Sequence, residues 1–235
     1  MSDSPAQRSV PQLSPVHRRI LGVLVEKSMT TPAGYPMTLA ALVTGCNQLT
    51  CRNPVMRLTE GEVARALHEL QVWPGGGLVR QAEVDRTARS NRFEHTLEAR
   101  FGWGKRERAL IAELFLRGPQ TPGELKTNAS RMTPFDDLQM VINLLEELAR
   151  HDPPYVRELP RQPGRSAARY DHLFYLPDET PAAGPVVATP AAAPAGSTLD
   201  LDAIEQRVAR LEEQVATLRE QLGRILQQPP NTGQS

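Results

Sequence analysis

A mainly α fold with small β-hairpins (α+β), made of two similar halves, is predicted by three observations. Apolar residues recur at helical spacing in six separate stretches. Each half closes on two short β-prone segments around a polar turn. Those closing segments repeat at a single offset: Leu78-Val79-Arg80 stands 77 residues before Tyr155-Val156-Arg157, and Arg92-Phe93-Glu94-His95 stands 77 before Arg169-Tyr170-Asp171-His172.

The elements follow in chain order. Leu13, Val16, Ile20, Leu21 and Leu24 mark a first helix, and Thr31-Pro32 follows it. A helical stretch over 37–46 and another over 59–71 come next, then the strands at 78–80 and 92–95. The second half repeats the order. Leu110, Ile111, Leu114 and Phe115 form its first helix, Thr121-Pro122 opens a short helix over 123–129, and Leu138, Val141, Ile142, Leu145 and Leu148 mark a longer one over 135–150. The strands at 155–157 and 169–172 flank a Pro163-Gly164 turn. The Thr-Pro pairs are offset by 90, so the first half holds about 13 extra residues. Three helices followed by a hairpin is the order of a winged helix, a helix-turn-helix variant. The expectation is two of them in tandem, over 13–98 and 99–176, after a disordered start at 1–12.

The remaining residues read differently. Residues 177–198 contain five prolines and no aromatic residue, which predicts a disordered linker of about 25 Å r.m.s. span. Over 199–228, Leu201, Val208, Val215 and Leu222 occupy heptad a positions, and Ile204, Leu211, Leu218 and Ile225 occupy d. Valine at central a with leucine at central d favours a parallel two-stranded coiled coil, so a homodimer is expected through these eight residues. The other reading is an amphipathic helix folded back on its own domain, which needs a wider apolar face. Residues 229–235 form a polar tail.

Composition limits the function. There are 27 Lys+Arg against 27 Asp+Glu, so a uniformly basic coat is excluded while a local basic patch is not. Of the cations 24 are arginine, which favours bidentate contact with phosphate or carboxylate. Hydrophobic residues are 40% and aromatics 5%, which fits two small aliphatic cores. Residues 1–12 lack the apolar core of a signal peptide, and no apolar run approaches a membrane span, so a cytoplasmic protein is expected. Cys46 and Cys51 form neither a disulfide framework nor a zinc pattern, and a buried Cys46 is expected.

The most distinctive text is Thr31-Pro32-Ala33-Gly34-Tyr35-Pro36-Met37-Thr38-Leu39, then Cys46-Asn47-Gln48 and Arg52-Asn53-Pro54-Val55-Met56. With Arg117-Gly118-Pro119-Gln120-Thr121-Pro122-Gly123-Glu124-Leu125 and the ending Arg169-Tyr170-Asp171-His172-Leu173-Phe174, it resembles the YceH family of bacterial proteins. The resemblance covers about residues 13–174 and implies the tandem winged-helix fold. Leu49 and Cys51 depart from it, standing where a lysine and a small polar residue are expected. The family carries no settled activity, and winged helices serve both as DNA readers and as protein-docking modules.

The candidate nucleic-acid contacts are in the wings and the long loop. The wings carry Arg86, Arg89, Arg92, Arg161, Arg165 and Arg169, and the loop carries Asn47, Gln48, Arg52 and Arg57. In the loop, a structural hydrogen-bonding role is the larger expectation. The third helices hold Glu60, Glu62, Glu69, Asp136 and Asp137, so little contact is expected from them. His95 and His172 occupy equivalent positions, which points to a structural hydrogen bond at each hairpin end. No catalytic motif, metal set or cofactor cradle is present, so no cofactor and no enzyme activity are expected. The leading expectation is a DNA-binding transcriptional regulator that contacts double-stranded DNA through its wings. The alternative is a protein–protein module, a scaffold in a chromosome-associated or regulatory complex.

Overall fold

Helix α1, Pro15–Thr30, starts where Ser14 accepts a hydrogen bond from the His17 backbone and Pro15 takes the first helical position. Ile20, Leu21, Val23, Leu24 and Val25 are all buried, so this helix is enclosed on nearly every side. The computed structural model describes residues 10–82, 90–161 and 167–179. The tips of both hairpins, with Arg86, Arg89 and Arg165, lie outside them, as do the linker and all eight heptad positions.

A 3-10 turn at Pro32–Gly34 leads to β1, Met37–Thr38, and α2, Leu39–Cys46. The helix expected from residue 37 therefore begins two residues later. Thr38 caps it by accepting from Ala41 N, and that extended backbone lets Met37 and Thr38 pair with Phe93 and Arg92. Helix α3, Glu60–Gln71, opens on a reciprocal capping box between Thr59 and Glu62. Strands β2, Val79–Gln81, and β3, Arg92–His95, are antiparallel, with Val79 opposite His95, in a sheet ordered β1-β3-β2.

A short helix α4, Leu97–Phe101, joins the halves and stops at Gly102, whose φ of 71° is readily adopted only by glycine. The second half then runs α5, Lys105–Arg117; α6, Pro122–Ala129; α7, Leu138–Arg150; β4, Val156–Leu159; and β5, Arg169–His172. Thr121 and Glu124 form a second capping box, with Pro122 at the first helical position. Helix α7 begins at 138 and not at 135, because Asp137 is its cap and accepts from Met140 N. Val156 pairs with His172, and a bridge from Gln120 to Tyr170 stands where β1 stands in the first half. The described residues thus hold seven α-helices and small antiparallel sheets.

The two halves share one core. Helix α1 packs along α5, and the buried side chains of both halves form a continuous cluster, not the two separate cores that composition suggests. Although aromatics are few, Phe101, Trp103, Phe115, Tyr155 and Phe174 gather in it, with ring centroids 4.3 Å apart for Phe101–Trp103 and 5.2 Å for Phe115–Phe174. Gly22 permits the approach of α1 to α5, since a Cβ there would lie 2.8 Å from Leu116 Cγ. Replacing Gly22 with valine is expected to lower stability by about 1–3 kcal/mol through overpacking. Urea denaturation measures it, and an unchanged midpoint would show that the seam is loosely packed.

Candidate functional site

The loop from Asn47 to Arg57 is held by its own polar side chains. Asn47 bridges to Leu58, its Nδ2 donating to the carbonyl at 2.8 Å and its Oδ1 accepting from the amide at 2.7 Å. Arg52 donates from Nε to Gly45 O at 3.1 Å, from Nη1 to Cys51 O at 2.8 Å, and from Nη2 to Gln48 Oε1 at 2.8 Å and Glu26 Oε2 at 2.5 Å. The Tyr35–Pro36 and Asn53–Pro54 peptides are both cis. Cys46 is buried, as expected, and burial pushes its thiol up to about 12.

Glu26 is the centre of a charged chain that ties the halves together. It is 1% exposed on α1 and meets both Arg52 and Arg131. Arg131 also reaches Glu113 of α5 at 2.6 Å, and Arg117 lies 3.0 Å from the same carboxylate, though not aligned for a hydrogen bond. Burial pushes the Glu26 carboxyl up, but the Arg52 and Arg131 guanidiniums together hold it below the usual range.

Arg92 and Arg169 hold matching positions. Arg92 donates to Pro36 O at 2.8 Å, and Arg169 donates to Pro119 O. Each ties the second strand of a hairpin to the segment before a second helix. The two repeated histidines are also engaged within the fold. His95 Nε2 lies 3.4 Å from Ser28 Oγ, and His172 Nδ1 accepts from Phe174 N at 3.3 Å. Burial lowers both, His95 to about 4. Of the described candidates, Arg57 and Arg161 are the exposed ones.

The third helices differ in a way that counting charges misses. In α3 the buried residues are Val63, Ala66, Leu67 and Leu70, so at 100° per residue the ridge facing directly outward is Gly61, Arg65, His68 and Val72. That ridge contains no acid. Glu62 is held by Thr59 in the capping box, and Glu69 accepts from or pairs with His17 at 2.8 Å. Among the described residues, the Arg65 and His68 side chains have no hydrogen-bond or ion-pair partner, and Arg57 precedes them on the exposed approach to the helix. The same construction on α7, where Val141, Leu145 and Leu148 are buried, gives Gln139, Asn143, Glu146 and Arg150. This second ridge satisfies itself: Gln139 Nε2 donates to Asn143 Oδ1 at 2.9 Å, and Arg150 pairs with Glu146.

Among the described residues, no helix is long and apolar enough to cross a membrane. Residues 13–165 match the family described as "Protein of unknown function, DUF480". A UPF0502 protein of Geobacter sulfurreducens is 44% identical over 200 residues, covering 85% of this chain and 87% of the relative. One from Cupriavidus pinatubonensis is 42% identical over 229 residues, covering 94% of each chain. One from Azoarcus sp. is 43% identical over 202 residues, covering 85% and 86%.

Proposed function

The chain belongs to the bacterial UPF0502 family that the DUF480 model describes, and from that premise we propose that it is a non-enzymatic tandem winged-helix protein that contacts duplex DNA as a transcriptional regulator. In this reading α1–α3 with β2 and β3 form one winged helix, and α5–α7 with β4 and β5 form the other. The carrying observation is the outer ridge of α3. A helix that enters a groove needs a cation on its outermost line and no acid there, and Arg65 meets that need, with Arg57 before it and the His68 ring as a further hydrogen-bonding group. Gly61 at the same ridge's start allows close backbone approach. The first half is thus the reading head. The second half contributes its hairpin arginines, and its self-paired α7 ridge stays out of the groove.

A protein-docking reading is favoured at one place. Leu138 is 44% exposed at the start of α7, where an apolar partner fits better than phosphate, although Val72, 65% exposed at the end of the α3 ridge, offers a second such contact. A salt titration of duplex binding by the full chain, with and without Arg65 and the hairpin arginines, separates the readings.

Dimerisation through the heptads at 201–225 belongs to the same proposal and gives four winged helices per particle. Removing residues 199–226 is expected to leave a monomer in sedimentation. A dimer that persists would place the interface in the paired halves instead.

A further inference from the structure

We propose that the cleft at the seam of the two halves is a binding site for a small carboxylate with an apolar body. The cleft holds about 220 Å³, less than the roughly 300–1,000 Å³ of a drug-sized site, which suits a ligand of one ring or a short acyl chain. Both halves build it. Helix α1 and the loop at 53–56 form one side, and the end of α5, His172 and the following segment form the other. Its apolar walls are Met56, Leu114, Phe115 and Pro119.

The polar part of the lining is unbalanced. Arg18 is answered: it pairs with Glu179, donates to Leu13 O at 2.5 Å, and lies 4.7 Å above the Tyr175 ring. Tyr175 in turn stacks on His172, with centroids 4.1 Å apart. Arg19 is not answered. It is 1% exposed, and its Nη1 and Nη2 donate only to the carbonyls of Cys46 at 2.8 Å and Pro54 at 2.5 Å. Its Nε has no acceptor, and no carboxylate pairs with it among the described residues. The buried arginine Arg52 does have a carboxylate, so Arg19 is the exception among guanidiniums buried to this degree.

A buried charge without a counter-charge is costly, and an anion that enters beside it removes that cost. Burial and the nearby Arg52 lower Arg19 to about 10, which still leaves it charged at neutral pH. His172 supplies a second donor. Its Nδ1 accepts from Phe174 N, which places the ring proton on Nε2, and Nε2 has no partner among the described residues. The lining therefore offers the His172 Nε2 proton and, in Arg19, one positive charge without a carboxylate, against apolar walls, and its one acid, Glu179, is already paired with Arg18. A monoanion with two acceptor oxygens matches it, whereas a multiply charged phosphate would leave charge unmatched against carbon. The site lies apart from the α3 ridge, and its occupancy does not depend on DNA contact.

Benzoate is the probe and benzamide its neutral counterpart, each titrated into the full chain by amide-resolved NMR. Saturable benzoate binding is expected, with benzamide at least about tenfold weaker for want of the charge. Met56→Trp fills the cleft while leaving every polar contact in place, and it should abolish benzoate binding with the fold retained. Arg19→Gln should remove the preference for benzoate over benzamide. No saturable binding up to about 10 mM, equal affinity for the two probes, or benzoate binding undisturbed by Met56→Trp would each overturn the site. The comparison of the two probes on the unmodified chain needs no variant to fold.

Discussion

Replacing Glu26 with alanine is expected to destabilise the protein by about 3–5 kcal/mol. The magnitude comes from what is left behind. The Arg52 side chain is wholly buried, and its other acceptors are carbonyl oxygens of Gly45 and Cys51 and the amide of Gln48. Without the carboxylate its charge has no counterpart. Arg131 loses less, because it keeps Glu113. A loss of this size is a large share of the roughly 5–15 kcal/mol that stabilises a typical domain. Replacing both partners, Glu26→Leu with Arg52→Met, should recover the part that comes from the stranded charge, but not the hydrogen bonds that Arg52 donates to Gly45, Cys51 and Gln48. Urea midpoints at an unchanged slope make the comparison. A single-variant cost under about 1 kcal/mol would show that water reaches the pair. The pH profile supplies a second signature. Glu26 is held below its ordinary value in the folded state, so its contribution is present above the unfolded carboxylate range and is lost as pH falls through the folded value. His95 and His172 act earlier on the same limb. Both are lowered by burial, so the unfolded chain takes up protons first and stability falls as pH drops below about 6.5. The Glu26 variant should therefore keep the histidine part of the acid limb and lose the lower part.

Much of this fold is legible in the chain because its helix starts are written in local chemistry. Thr59 with Glu62, and Thr121 with Pro122 and Glu124, announce α3 and α6 before any packing is considered. The strand pairs are legible because they occur twice at one spacing. Helix α4 is not, since five residues hold too little of a helical period to register against the strand before it. The single shared core is also hidden. Glu26, Arg18 and Arg19 look like interruptions in an apolar run, and a sequence does not reveal that distant loops will supply their partners, Arg52 and Arg131 for Glu26 and Glu179 for Arg18, or withhold them. The outer ridge of α3 is an intermediate case. Its residues are plain to see, but a count of acids along the helix masks them, and only helical phase separates Glu62 and Glu69 from Arg65 and His68.

That separation carries the second large effect. Replacing Arg86, Arg89, Arg161 and Arg165 with alanine should reduce the slope of log affinity against log salt by about three to four, at nearly one per lost phosphate contact. Arg161 is exposed, and the other three lie outside the described residues. Arg65→Ala should behave differently. A side chain on the outermost line of a groove-entering helix meets base edges as well as phosphate, so its loss should weaken binding about ten- to hundredfold and relax preference at one base position. The double variant Gln139→Ala with Asn143→Ala on α7 should change neither quantity, because that ridge is occupied with itself. The pattern, more than any single loss, tests the assignment. If the α7 variant weakens binding as much as Arg65→Ala, both halves enter grooves and the asymmetry fails. If none of the variants alters duplex binding at low salt, the arginine-rich hairpins serve only as solvated edges that resist aggregation. Balanced overall charge makes this discrimination sharp. With 27 cations against 27 anions there is no diffuse attraction to disguise the loss of a specific contact, so whatever DNA affinity exists must come from where the cations are placed.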